Sequence, residues 1–168
     1  MKNILLIALL PLLLAASCKK DKLADELSKL PPATQTGANT FGCLVNGKAW
    51  VPEGSDGNNS NLKIYISGTD FDLRAYRLLD TKSEILVGSV GFTGLGAYEL
   101  DGVRNSTGVV FDGCSVNRGT TAYRIGQLTI ENFDNAKGII SGKFSFNIYH
   151  RNCTDTIRIT HGRFDKQL

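Results

Sequence analysis

Cys18 is the residue whose surroundings say most about chemistry. It follows Ala15-Ala16-Ser17, small residues that a signal peptidase groove accepts, and an aliphatic run from Ile4 to Leu14 behind Lys2. The run is 11 residues, or about 13 with Ala15 and Ala16, near 20 Å as a helix. That is short of a hydrocarbon core of about 30 Å, so it reads as a secretion signal and not as a membrane span. A cysteine placed here resembles the lipobox of bacterial lipoproteins, in which the thiol takes a diacylglyceryl group and cleavage makes it the new N-terminus. The pattern departs at Ala15, where an aliphatic residue is usual, with Leu14 one step further back. One acyl chain holds a protein only marginally and two suffice for stable anchoring. The expectation is a domain kept at a membrane by a lipidated Cys18, without an apolar surface of its own.

Three further cysteines remain, Cys43, Cys114 and Cys153. Outside the cytoplasm these should form one disulfide and leave one thiol. Three pairings are open. Cys43–Cys153 closes the longest loop and is preferred on chain entropy, at about 4–5 kcal/mol.

Other arrangements offer less. His150, Cys153 and His161, with Cys43 or Cys114, are zinc-ligand types at a spacing that matches no standard pattern, so no metal is expected. Asp56-Gly57-Asn58-Asn59-Ser60 begins like a calcium loop, but Asn61 stands at the sixth position and Ser67 at the twelfth, and a solvated loop is expected. Gly91-Phe92-Thr93-Gly94-Leu95-Gly96 lacks the lysine of a phosphate loop and reads as a turn. No Gly-x-Ser-x-Gly element is present. Carboxylate pairs such as Asp70 and Asp72 occur, as they must among 16 acidic residues, and leave a small carboxylate-dependent hydrolase as the alternative to a non-catalytic role. Arg163 and Asp165 should project from one strand face, in a structural ion pair that stitches the last strand to a neighbour. Tyr65, Tyr76 and Tyr149 fall on the polar phase of their strands and would make an aromatic platform for a sugar or peptide if adjacent. Asp155-Thr156-Ile157 is similar to the O-glycosylation triplet of Bacteroidota, with access at Thr156 restricted by a strand start.

The elements that must position these residues are strands. Asn46-Gly47 between Phe41-Gly42-Cys43-Leu44-Val45 and Lys48-Ala49-Trp50-Val51 predicts a two-residue type I′ hairpin. Period-two alternation predicts strands at Leu62–Ser67, Phe71–Tyr76, Ala97–Leu100, Thr107–Phe111, Tyr123–Ile130, Ile140–Ile148 and Thr154–Thr160. Ile85 to Val90 is apolar in both phases, as in a covered central strand. No helical period persists over ten residues of this region. An all-β fold follows, an antiparallel sandwich or open barrel of about 8–10 short strands over residues 40–168. Residues 1–17 are the signal and 18–39 the lipid anchor and a mobile tether, where Leu23 to Leu30 makes one or two transient turns before Pro31-Pro32.

Hydrophobic residues are 42% and charged ones 21%, which argues against disorder. A net charge of +3, about +2 without Lys2, is too small to argue for nucleic acid.

The two ends of the mature chain carry a resemblance. Leu30-Pro31-Pro32-Ala33-Thr34-Gln35-Thr36-Gly37 with Asn39-Thr40-Phe41-Gly42-Cys43-Leu44-Val45-Asn46-Gly47, and Ile140-Ser141-Gly142-Lys143-Phe144-Ser145-Phe146 with Ile159-Thr160-His161-Gly162-Arg163-Phe164-Asp165, resemble an uncharacterised lipoprotein domain family of Bacteroidota. The resemblance implies a membrane-anchored β domain and brings no activity or catalytic residue; no cofactor is expected, and the expected place is the outer membrane, on its periplasmic or its outer face. A glycan, a peptide or an envelope protein is the expected kind of partner, with the membrane itself reached through Cys18.

Overall fold

The computed structural model describes residues 22–55, 60–79, 82–102, 107–111, 113–117 and 119–168. The signal segment, Cys18 and all of the calcium-like loop except Ser60 lie outside them.

Eleven strands occur among the described residues, β1 (Thr40–Val45), β2 (Lys48–Trp50), β3 (Leu62–Ser67), β4 (Asp70–Arg77), β5 (Ser83–Val90), β6 (Gly96–Glu99), β7 (Thr107–Phe111), β8 (Cys114–Val116), β9 (Tyr123–Asp134), β10 (Ile139–Tyr149) and β11 (Ile157–Gln167). They form two antiparallel sheets. The larger runs β2-β1-β11-β10-β9-β6 and the smaller β3-β4-β5-β7-β8. The all-β sandwich expected from period-two alternation is therefore the fold, and the inward phase of each strand supplies the core. Phe41, Phe144, Phe146, Ile148 and Ile159 come from the larger sheet, and Phe71, Leu73, Ile85, Val87 and Val109 from the smaller. Phe71 is fully enclosed and meets Phe92 and Phe164 at centroid separations of 5.3 and 6.2 Å.

The Asn46-Gly47 hairpin forms as read, with both residues at positive φ (49° and 81°), the conformation a type I′ turn demands. The β5 strand is central in its sheet, and Leu86 to Gly88 is buried in both phases. The last strand starts later than expected and runs on to Gln167, because a bulge at His161 (φ 54°) keeps Ile157 and Ile159 on one side of it and Phe164 on the other all facing inward.

Residues 22–39 differ from the mobile tether that their composition predicts. Residues 22–28 are helical. Glu26 Oε2 accepts a hydrogen bond from Ala49 N at 2.7 Å, Leu30 is buried, and Pro31 lies so close to Gly42 that a Cβ there would sit 2.7 Å from Pro31 Cδ. Charge and proline suggested solvent; the contacts that dock the segment come from strands far away in sequence and leave no local period.

Candidate functional site

The disulfide joins Cys114, at the start of β8, to Cys153, in the loop between β10 and β11. Loop entropy favoured Cys43–Cys153, and the structure corrects it. The Cys43 side chain sits on β1 in the core with no exposure, and burial pushes its thiol well above the usual range, slightly opposed by Arg77. That thiol is an inert core residue. With Cys153 bonded to Cys114, its sulfur is no zinc thiolate, and no group of three or more His, Cys, Asp or Glu residues suited to a metal occurs among the described residues.

A second staple lies beside the disulfide. Arg124 points inward from β9 and is buried, and it makes no ion pair among the described residues. Its guanidinium donates to four carbonyl oxygens instead, those of Thr107 (2.9 Å), Asn117 (2.7 Å), Thr120 (3.0 Å) and Ala122 (3.2 Å). Burial lowers its pKa from the ordinary arginine value. Thr107 and Asn117 belong to the smaller sheet's side of the sandwich, so Arg124 ties the end of β9 to the opposite layer just as the disulfide ties the β10–β11 loop.

Between these staples the outward phase of β9 and β10 presents Tyr123 and Tyr149. They are cross-strand register partners and are 64% and 54% exposed. A depression of about 600 Å³ beside them is bordered by Thr121, Ala122, His150 and Arg151. Ile125, 53% exposed, Gln127, Ser145 and Asn147 continue the same face. Aromatic rings flanked by amide and hydroxyl groups can stack on an apolar ring face and hydrogen-bond its polar rim at once.

The tyrosines named from sequence do not form one platform. Tyr65 and Tyr76 lie on β3 and β4 of the smaller sheet, whereas Tyr149 is on the larger one. Tyr76 is half-buried, with Lys63 Nζ 5.8 Å from its ring centroid. Burial and the Glu84 charge raise its pKa, and Arg74 works the other way. The residue missed was Tyr123. The signal available was the phase of β9, but it is disguised there, because a charged Arg124 takes the inward position while Ile125 faces out.

The carboxylates gather on the outer face of the smaller sheet. Arg74 Nη2 lies 2.9 Å from Asp72 Oδ2 and its Nη1 lies 4.0 Å from Glu84 Oε1. Burial raises the Glu84 pKa; Arg74 opposes this and the Asp72 charge adds to it. Glu84 and Arg74 border a concavity of about 190 Å³ with Leu86, Gly108, Val110 and Asn117. Asp70 precedes Asp72 on that face of β4 and pairs in register with Val90. Among the described residues one carboxylate, Glu84, lines the concavity, and the Arg74 guanidinium stands between it and Asp72.

Arg163 and Asp165 share a face of β11, but not as an ion pair. The Asp165 side chain is enclosed by the 34–38 segment. Thr34 Oγ1 donates to Oδ2 at 2.6 Å, the Thr36 and Ala38 amides to Oδ2 at 2.9 and 3.2 Å, and the Gly37 amide to Oδ1 at 2.8 Å. Arg163 makes no ion pair among the described residues. Thr156 is half-buried in the residue before β11, and its amide donates to its neighbour Asp155.

Compared with known proteins, the chain matches no family model, no curated protein and no solved structure.

Proposed function

We propose that this chain is a lipid-anchored, non-catalytic binding module of the cell envelope, held at the outer membrane through Cys18 and binding a glycan on the outer face of its six-stranded sheet. The observation that carries the reading is the Tyr123–Tyr149 pair, exposed side by side and fixed from behind by Arg124 and by Cys114–Cys153. Both rings are mounted on strands whose ends are tied to the opposite layer, so little ordering remains to oppose binding. A sugar suits the chemistry because it offers apolar C–H faces to the rings and hydroxyls to Gln127, Ser145 and Asn147. A carboxylate-dependent hydrolase has less support, since Arg74 neutralises Asp72 and approaches Glu84 instead of leaving an acid and a base across a cleft.

A microarray of neutral and uronate-containing oligosaccharides, probed with the soluble chain from Lys19, tests the reading. Binding is expected, with Tyr123→Ala and Tyr149→Ala each weakening it about tenfold, as loss of an aromatic anchor does. Far-UV circular dichroism and the melting temperature should stay unchanged. Absence of binding to every glycan, or equal binding by both variants, would overturn it.

A further inference from the structure

We infer that residues 22–38 are a docked collar, so that an acylated Cys18 holds the sandwich directly against the bilayer and not on a long leash. This rests on the lipid anchoring proposed above. Composition alone gives about twenty residues of free chain between lipid and domain, which as a random coil would span roughly 25 Å. The contacts leave no such freedom. From its N-terminal side, the collar is fixed at Glu26 to the β2 amide of Ala49, at Leu30 and Pro31 against Gly42 of β1, and at Gln35, whose carbonyl accepts from Asn132 Nδ2 at 3.3 Å. It ends in the Asp165 latch.

The latch is a built feature. Gly37 (φ 77°) lets the successive amides of Thr36, Gly37 and Ala38 converge on one carboxylate, the arrangement of an anion-binding nest. Charge-assisted bonds of this kind are about twice as strong as neutral ones. What remains is the connection from Cys18 to Lys22, four residues that reach at most about 14 Å even fully extended. The domain's approach to the membrane is therefore set by protein contacts, and the lipid surface becomes a fixed neighbour of the collar and the β1–β2 edge.

Neutron reflectometry of the full lipidated protein on a supported bilayer reads the hydrated gap between head groups and protein. The wild type should show a gap below about 15 Å. Inserting ten Gly/Ser residues after Lys20 leaves every collar contact intact and should widen the gap to roughly 20 Å. Combining Asp165→Ala with Glu26→Ala and Leu30→Ser, which also removes the contacts nearest the lipid, should widen it towards roughly 25 Å by releasing the collar, with core amide exchange confirming that the sandwich stays folded. If that combined variant does not fold, the insertion decides alone. A wild-type gap near 25 Å, or one that the insertion leaves unchanged, overturns the inference. Wild-type protein recovered in the soluble fraction contradicts the anchor instead; amide exchange over residues 22–38 of that soluble chain then reports separately whether the collar is docked.

Discussion

Asp165 is the side chain on which most of the distant contacts converge. Burial alone would raise its pKa, but Thr34 Oγ1 and the amides of residues 36, 38 and 37 outweigh that and hold it below the ordinary carboxylate range. A depressed folded-state pKa means that the latch contributes its full stability above the unfolded value, about 3.9, and loses it as pH falls through the lowered one. The amide resonances of Thr36, Gly37 and Ala38 should accordingly stay fixed from pH 7 to about 4 and move only in stronger acid. Movement near pH 6 would contradict this. Asp165→Asn keeps the shape but turns one acceptor oxygen into a donor, and should cost about 2–3 kcal/mol in denaturant unfolding. The sequence showed Asp165 on a strand face with Arg163. It did not show the latch, because its three amide donors are main-chain groups that no residue type reveals. Thr34 to Ala38 and Asp165, from opposite ends of the domain, are the two halves of one contact. Tyr149 was legible by its outward phase, whereas its partner Tyr123 was hidden by the charged residue next to it.

At the scale of elements, alternation in β3, β4 and β10 and the Asn46-Gly47 turn were readable because each is a local property of backbone and side-chain phase. Pairings between sheets were not. Cys114 closes onto Cys153 because the β8 edge and the β10–β11 loop meet at one end of the sandwich, while Cys43 points into the core. The three-residue β8 itself is too short to show a period. The bond spans 39 residues of chain, so reducing it should destabilise the domain by about 4 kcal/mol on the chain-entropy model. For a body of this size that is a fall in melting temperature of roughly 10–20 °C. Calorimetry with and without reductant measures it, and a fall under about 3 °C would mean that Arg124 and the packing hold this end without the disulfide. Because the same bond fixes the loop carrying His150 and Arg151, reduction should also weaken the glycan binding proposed above.

At the scale of the whole molecule, the lipid proposed at Cys18 would act with the sandwich and its docked collar as one device. The collar covers the larger sheet's outer face over β1 and β11 and reaches Asn132 and Ile139, while the Tyr123–Gln127 and Ser145–Tyr149 ends of β9 and β10 stay open, so the proposed anchoring and display would divide one surface between them. Among the described residues no helix is long and apolar enough to cross a membrane, and the account assigns retention to Cys18. The direct measurement is metabolic labelling with radioactive palmitate in the native host, comparing wild type with Cys18→Ala. The account predicts label on the wild-type chain in the membrane fraction and none on the variant. A wild-type chain without label, or a Cys18→Ala chain that stays with the membranes, would contradict it.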